Sequence, residues 1–421
     1  MDVLVVGVGS VGSVIAQYLQ QDSSISSLTL ADRDISRARN IAAKPGKTRV
    51  RAVKIDASKP GELEKLTKGM GIVVNSGHPI FNEPLMQFCE EHGVAYVDLA
   101  SSKMMDQLAH DRKFREAGTL GVVGLGEDPG LSNIYARYAA DRLTTVKEIR
   151  VRDGEFSVSK LHGFVPLFSP EVFFEEVLTD AIIFIDGQVK HFPPMTEKEV
   201  YDFPPPMGKQ TVYALEHEEV QTLPYYIKKG VRYVDFKLAL SDEFVNNVNL
   251  LKELGLLSTR PVDVKGTRVR PFDVFIATLP IPVSVASALN GHAGISVEVT
   301  GTARGKETKY TLSTQMSHKE AYKQFRANAT SYLTGIVPAV YVSTFAKGKV
   351  KQKGVIPAEM LDADLLLAEL TKAGVKTTLT KSSEEELEAE FPWGCLEQDY
   401  AESRFSASSK AWTVKAMSSS L

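Results

Sequence analysis

The chain has 421 residues, 43% of them hydrophobic and 24% charged, with a formal net charge of −3. That composition supports sizeable soluble cores, and the length suits two or three domains. A weakly acidic chain with no basic stripe is not built to bind nucleic acid, so a small-molecule substrate or a protein partner fits better.

Taken in chain order, the first 150 residues alternate strands and helices. Apolar, β-branched runs predict strands at Val3–Val6, Ser27–Ala31, Val50–Ile55, Ile72–Asn75, Ala95–Leu99 and Leu120–Val123. Helical patterns fill the gaps at Ser10–Leu19, Ile35–Ala43, Glu62–Lys68 and Glu83–His92, the last stopped by Gly93. Strands separated by helices read as βαβ units on a parallel sheet.

The first turn carries chemistry. Gly7-Val8-Gly9-Ser10-Val11-Gly12 follows a strand and opens a helix, and Asp32 stands at the end of the next strand. In this pattern Gly7 permits the tight turn, Gly9 lets backbone approach a pyrophosphate, and Gly12 lets helix and strand pack closely. The helix N-terminus offers N–H groups to phosphates, and the Asp32 carboxylate suits ribose hydroxyls. A carboxylate there favours NAD, while Arg33 can accept the 2′-phosphate of NADP; the balance leans to NAD. Asp56 and Ala57 end the third predicted strand, and Asn75, Ser76, Gly77, His78 and Pro79 follow the fourth. Ligands of open α/β sheets bind at those strand ends, so these loops are expected to line the cofactor cleft. Asp56 reads equally well as a cap in its own turn.

Beyond Gly124 the pattern changes. Glu127 and Asp128 sit in the loop after the sixth strand, where paired carboxylates can bind a substrate ammonium or shift one another's pKa. Asp128 also reads as the N-cap of a helix beginning at Pro129. Further strands are predicted at Glu148–Arg152, Ile182–Ile185, Val231–Leu240, Ile295–Thr300 and Lys309–Leu312. Residues Phe192–Met207 are proline-rich and read as an extended loop. His318–Lys347 is helical, and Val355–Gly374 reads as one helix with Pro357 near its start.

Several short motifs share an order and spacing: Tyr96-Val97-Asp98-Leu99-Ala100, Gly124–Asn133 (GLGEDPGLSN), Gly255-Leu256-Leu257, Thr334-Gly335 with Pro338, and Gly354–Glu359 (GVIPAE). Together they resemble the saccharopine dehydrogenase-like family over about residues 1–370. The resemblance implies an α/β fold: a Rossmann dinucleotide-binding domain over 1–125 and a mixed α/β substrate and dimerisation domain over 126–320. Helices over 321–375 return to the Rossmann domain, and 376–421 is a C-terminal extension. It also implies an NAD(P)-dependent oxidoreductase acting on a C–N bond of a lysine-like amino acid, of the lysine 6-dehydrogenase or saccharopine dehydrogenase type, in a homodimer. The Leu161–Pro170 segment matches the family's substrate segment only loosely.

Oxidising an amine requires removing a proton before hydride leaves. Candidates for that work are Glu127, Asp128 and His78, although a lone loop histidine often serves structure instead. Tyr96, Asp98, His162, Ser169, His217 and Thr334 are candidate substrate contacts; His217 sits among Glu216, Glu218 and Glu219 and also reads as part of a solvated charged face. Arg137, Arg232 and Arg304 can grip a carboxylate. Two other readings stay open: a non-catalytic dinucleotide-binding sensor or scaffold, and a carbonyl reductase sharing the cofactor domain. Cys89 and Cys395 are too few for a disulfide framework and point to free thiols in the cytoplasm. The histidines lack zinc-type spacing, so no metal is expected. No uncharged run reaches the roughly 18 residues a membrane helix needs, so no membrane span is expected.

Overall fold

The computed structural model describes residues 1–101, 103–159 and 164–383. Seven strands form a wholly parallel sheet: β1 (Asp2–Val6), β2 (Ser27–Asp32), β3 (Arg49–Lys54), β4 (Ile72–Asn75), β5 (Ala95–Asp98), β6 (Leu120–Val123) and, much later, β18 (Gly354–Pro357). The spatial order is β18-β6-β5-β4-β1-β2-β3. The strand order reverses between β1 and β4, and a crevice opens there outside the carboxyl ends. The residues of β1 after Asp2 are all buried, as are those of β4 to β6, which is why these strands read as continuous apolar runs.

A second, mixed sheet is built on two 15-residue strands, β7 (Thr145–Ser159) and β15 (Leu289–Ala303), paired antiparallel. Between them in sequence come β8 (Ala181–Ile185), β9 (Gln188–Phe192), β10 (Thr196–Phe203), β11 (Gly208–Ala214), β12 (Tyr233–Ala239) and a small hairpin, β13 (Val262–Val264) with β14 (Thr267–Val269). β16 (Lys306–Ser313), β17 (Met316–Ser317) and β19 (Thr378–Ser383) complete the far side. One face of β7 and β12 carries Val151, Asp153, Phe236 and Leu238. The other carries Arg152, whose guanidinium bonds Asp235 at 2.8 and 2.9 Å and Glu199 at 2.9 and 3.2 Å. Such a buried cation persists because every donor has a partner.

The helix Ala329–Ala346 joins the two halves by packing on the helix Ser10–Leu19. Gly335 makes this possible, since a Cβ there would lie 2.8 Å from the Val14 Cβ. The Ser10 hydroxyl also donates to Ser331 at 2.7 Å.

Several expectations need correction. Residues Phe192–Met207 are not a loop: the prolines flank β10 and leave its interior free to pair. The Val355–Gly374 segment is not one helix. Its first residues form β18, a buried edge strand ending at Pro357, and the helix begins only at Ala363. Residues Thr378–Ser383 of the expected extension form β19 against β16. Asp128 does not cap a helix. The loop closes through Gly126 and Gly130, the helix starts at Leu131, and Asn133 Oδ1 accepts from the Gly130 N–H at 2.9 Å. Finally, Pro271–Ala288 is an 18-residue apolar stretch of membrane-spanning length and composition, contrary to the expectation. Prolines 280 and 282 divide it into the helices Pro271–Thr278 and Pro282–Val285 and a 3-10 turn.

Candidate active site

The glycine loop is shaped by two different demands. Gly7 has φ +87, and a Cβ there would lie 2.6 Å from the Gly77 N of the neighbouring loop. A Cβ on Gly12 would lie 2.0 Å from the Gly7 carbonyl oxygen. Those two positions are closed by the protein itself. Gly9 is not: the nearest atom to its Cβ position is the Arg37 Nη1, 3.9 Å away. The helix that follows has no side-chain cap, so its first-turn N–H groups are left to a ligand. The space at Gly9 and the uncapped helix start together fit a dinucleotide pyrophosphate. Asp32 accepts from the N–H groups of Val8 and Asp34, which holds its carboxylate beside the loop. Arg33 is exposed, and Arg37 donates to the Val8 carbonyl at 3.2 Å.

A cavity of about 440 Å³ opens from this loop towards the second sheet. Gly9, Ser10 and Val11 line one end with Asn75, Ser76, Gly77, His78 and Pro79. Asp128, Asp153, Glu176 and His217 line the other, with Ser169 and Thr334 between. The elements explain the meeting. The turn after β6 delivers Asp128, the inward face of β7 delivers Asp153, and the helix Pro170–Leu178 delivers Glu176. His217 lies flat on Phe236 of β12, ring centroids 3.7 Å apart.

The acid groups are half-buried in the cavity wall, and their pKa values respond. Burial pushes the Asp153 carboxyl up to about 7, against the pull of His217 and a hydrogen bond with Asp128. Burial and then the charge of Asp153 push Asp128 well above the ordinary range. Burial takes Glu176 and Glu155 to about 8, and Glu218 to about 7. Burial alone would push His217 down, but the Glu219 carboxylate hydrogen-bonded to it prevails and raises it to about 10. His217 is therefore an imidazolium set into an acidic wall, not part of a solvated face. Asp128 Oδ2 has no hydrogen-bond partner.

The remaining predicted residues fall elsewhere. Unlike its neighbour Asp128, Glu127 is buried and is not among the residues lining the cavity. Its carboxyl is held well above the ordinary range by burial and by Asp153 and Glu155. Tyr96 and Asp98 are not substrate contacts either. Tyr96 donates to Asn82 at 3.0 Å, and Asp98 accepts from the Gly124 N–H at 2.7 Å, so the pair ties the Gly124–Gly130 loop to the sheet. Asp56 accepts from Ser58 and builds its own turn, and neither it nor Ala57 lines the cavity. His78 Nδ1 accepts from the Ile80 N–H at 3.2 Å, which leaves Nε2 as the protonated nitrogen. Thr334 donates to the Thr330 carbonyl, and Ser169 caps the helix Pro170–Leu178. Arg137 and Arg232 are engaged with Asp141 and Asp186, and Arg304 sits in the turn between β15 and β16; none lines the cavity. His162 and Cys395 lie outside the described residues; Cys89 is buried and free.

Sequence reasoning passed over Asp153, Glu176 and Arg37. The signal for Asp153 is present: Ile149, Val151, Asp153 and Glu155 share one strand face, and carboxylates continuing an apolar alternation mark a site. It also passed over a group of possible metal ligands, His217, Glu218 and Glu219, whose ligand atoms lie within 4.8 Å of one another. Those atoms are engaged within the protein: Glu219 accepts from Ser132 and His217, and Glu218 accepts from the Ser101 N–H.

A pyrophosphate cradle at the switch point of a parallel sheet, opening into a cavity of proton-carrying groups, defines an NAD(P)-dependent dehydrogenase. Comparison with known proteins narrows this class. The saccharopine dehydrogenase NADP binding domain matches residues 3–122, and the saccharopine dehydrogenase C-terminal domain matches residues 126–375. The chain belongs to the saccharopine dehydrogenase family. It is 29% identical to carboxynorspermidine synthase of Vibrio cholerae over 89% of this chain and 96% of that protein. It is 28% identical to carboxyaminopropylagmatine dehydrogenase of Synechocystis, with the same coverage. The fold matches apo saccharopine dehydrogenase (L-Glu forming) from Saccharomyces cerevisiae with a TM-score of 0.67 at 16% identity, covering 91% of this chain and 99% of that one.

Proposed function

We propose that this enzyme makes or breaks the secondary amine C–N bond of a carboxyalkylated polyamine, in the manner of carboxynorspermidine or carboxyaminopropylagmatine. The observation that carries this reading is the set of carboxyl groups in the cavity, which ionise once a cation is placed beside them. The deep wall holds Asp128, Asp153 and Glu176, and Arg37 at the glycine loop is the one Lys or Arg among the described lining residues. A substrate with several amines suits such a wall; saccharopine, with its additional carboxylate, suits it less. The names of the two relatives agree with an amine-rich substrate. Lysine, the smaller amine first expected, remains the second reading.

Bound nicotinamide dinucleotide supplies or accepts the hydride. The protein does the rest. Asp128 and Asp153 hold the substrate nitrogen, and their shared proton passes to it or from it as amine and carbonyl condense with loss of water and the C=N bond takes up hydride, or, in the breaking direction, as hydride leaves and water adds to the C=N bond. His217 keeps Asp153 from rising further and so tunes the pair. Phe236 and Leu238 give the wall beside the pair an apolar surface. Asp32 favours NAD and the arginines favour NADP, and both cofactors are within this reading. Self-association as a homodimer also belongs to it, supported by exposed apolar side chains such as Leu250, Leu254 and Leu256.

The test follows nicotinamide absorbance with each cofactor against carboxynorspermidine, carboxyaminopropylagmatine, saccharopine, lysine and ornithine. Turnover of a carboxyalkylated polyamine, with lysine and saccharopine slow, is the expected result. Turnover of lysine alone moves the assignment to a lysine 6-dehydrogenase. Dinucleotide binding without turnover of any amine overturns the reading in favour of a sensor or a carbonyl reductase.

A further inference from the structure

A second cavity of about 270 Å³ adjoins the first, and the two share Asp153, Phe168, Leu238 and Thr330. Asp153 therefore stands at a junction. The near chamber reaches the glycine loop; the far chamber does not.

The far chamber combines two chemistries. On one side Phe164 stacks on Phe244 with centroids 5.4 Å apart, and Phe173 lies 5.9 and 5.6 Å from them. On the other, Glu155 and Ser157 continue the inward face of β7 beyond Asp153. Two residues of strand span about 7 Å, roughly the length of six extended single bonds. Asp153 and Glu155 are thus spaced for two cationic nitrogens joined by a short alkyl chain. Two further atoms point to a ligand. Asp128 Oδ2 in the near chamber and Thr330 Oγ1 at the junction are sealed from solvent with no hydrogen-bond partner. Both can accept from N–H donors, and buried polar atoms are rarely left unpaired. Aromatic faces and a carboxylate around one space suit an alkyl cation and no anion.

We propose that the far chamber is a distal-cation subsite, in which Glu155 receives the terminal ammonium or guanidinium of an extended amine while Phe164, Phe173 and Phe244 pack its methylenes. The inference rests on the amine-substrate reading above and names the residue that selects for length. Burial and the charge of Asp153 push Glu155 up to about 8, against a hydrogen bond with Ser157, so a cation placed beside it would be drawn to the ionised form. A lysine-sized substrate held at Asp128 and Asp153 leaves this chamber without a partner for Glu155.

The experiment is calorimetric titration of the full chain, saturated with NADP, at mildly alkaline pH. The probes are straight-chain diamines from diaminopropane to diaminooctane, each against the monoamine of equal length. At the length that spans both chambers, the diamine is expected to bind at least about tenfold tighter than its monoamine. Glu155→Gln is expected to bring that ratio within about twofold. A ratio unchanged in Glu155→Gln, or flat with length in the unaltered protein, overturns the subsite. The length profile needs no variant, so a Glu155→Gln protein that fails to fold leaves the test intact. Length-dependent diamine selectivity without turnover of any carboxyalkylated polyamine supports the subsite and sinks the proposed reaction. Turnover of those substrates with an unchanged ratio does the reverse.

Discussion

Asp128 and Asp153 stand in one cavity wall, close enough for the charge of Asp153 to raise Asp128, although one comes from the turn after the parallel sheet and the other from the spine of the mixed sheet. Two carboxyls this close cannot both ionise cheaply, so they hold one proton between them. Burial sets Asp153 at about 7, which is the range where an acid–base group works best. Asp153→Asn and Asp128→Asn are each expected to lower kcat by about 10²- to 10⁴-fold. The pH profile of kcat/KM should lose its limb near pH 7 in Asp153→Asn. A variant that keeps the full kcat and the same profile removes the pair from the chemistry.

The parallel half of the fold was legible because its strands are buried on both faces and its turns follow local rules. All six strands expected there form, with ends shifted by at most one residue. The mixed sheet was read only in fragments. β7 runs for 15 residues, but Arg150, Arg152 and Asp153 break its apolar pattern. Only tertiary pairing with Asp235 and Glu199 makes Arg152 a strand-interior residue. β18 reads as helix in the sequence because Gly354–Pro357 is too short to show a period, and its partner β6 lies more than 200 residues earlier. The site followed the same division. Loop residues at strand ends, such as Asp128 and His78, were found from topology. Asp153 and Glu155 come from a strand of the second sheet, and their meeting with the glycine loop is a tertiary one that no local turn rule sets.

The two glycines of the cradle are expected to fail differently. Gly9→Ala meets no atom of the chain nearer than 3.9 Å, so melting should move by no more than about 2 °C. Its methyl occupies the pyrophosphate space, and dinucleotide affinity should fall at least about tenfold. Gly12→Ala drives a Cβ to within 2.0 Å of the Gly7 oxygen. That overpacking should cost about 1–3 kcal/mol of stability. Thermal melting beside NADPH fluorescence titration separates the two outcomes. Unimpaired NADPH binding by Gly9→Ala would show that the phosphates do not lie there.

Cofactor choice turns on Asp32 against Arg33 and Arg37. Arg37 already reaches the Val8 carbonyl beside Gly9, and Arg33 is free to swing towards a 2′-phosphate. The double variant Arg33→Ala, Arg37→Ala is expected to weaken NADPH binding about tenfold more than NADH binding. Equal losses for the two cofactors would mean that the arginines grip only the shared pyrophosphate.

The acidic wall also dictates how stability depends on pH. Asp98, Asp153, Glu218 and Glu359 stand near 7 and Glu155 and Glu176 near 8, all raised by burial above the ordinary carboxyl range. A group whose folded pKa exceeds its unfolded value binds its proton more tightly in the folded state. Its contribution is complete below the unfolded pKa and is lost as pH rises through the folded one. His217, raised to about 10, has the same sign and loses its contribution at still higher pH. His318 runs the other way, since burial lowers it to about 4, but its effect is confined to pH below about 6.5. The melting temperature should therefore fall between about pH 6.5 and pH 9. Agmatine, a cation that pairs with ionised carboxylates, should raise it more at the alkaline end than at the acidic end. Melting curves across this range, with and without agmatine, check both slopes. A stability that is flat or rising to pH 9, with an agmatine effect independent of pH, would mean that these carboxyls are not protonated within the folded wall.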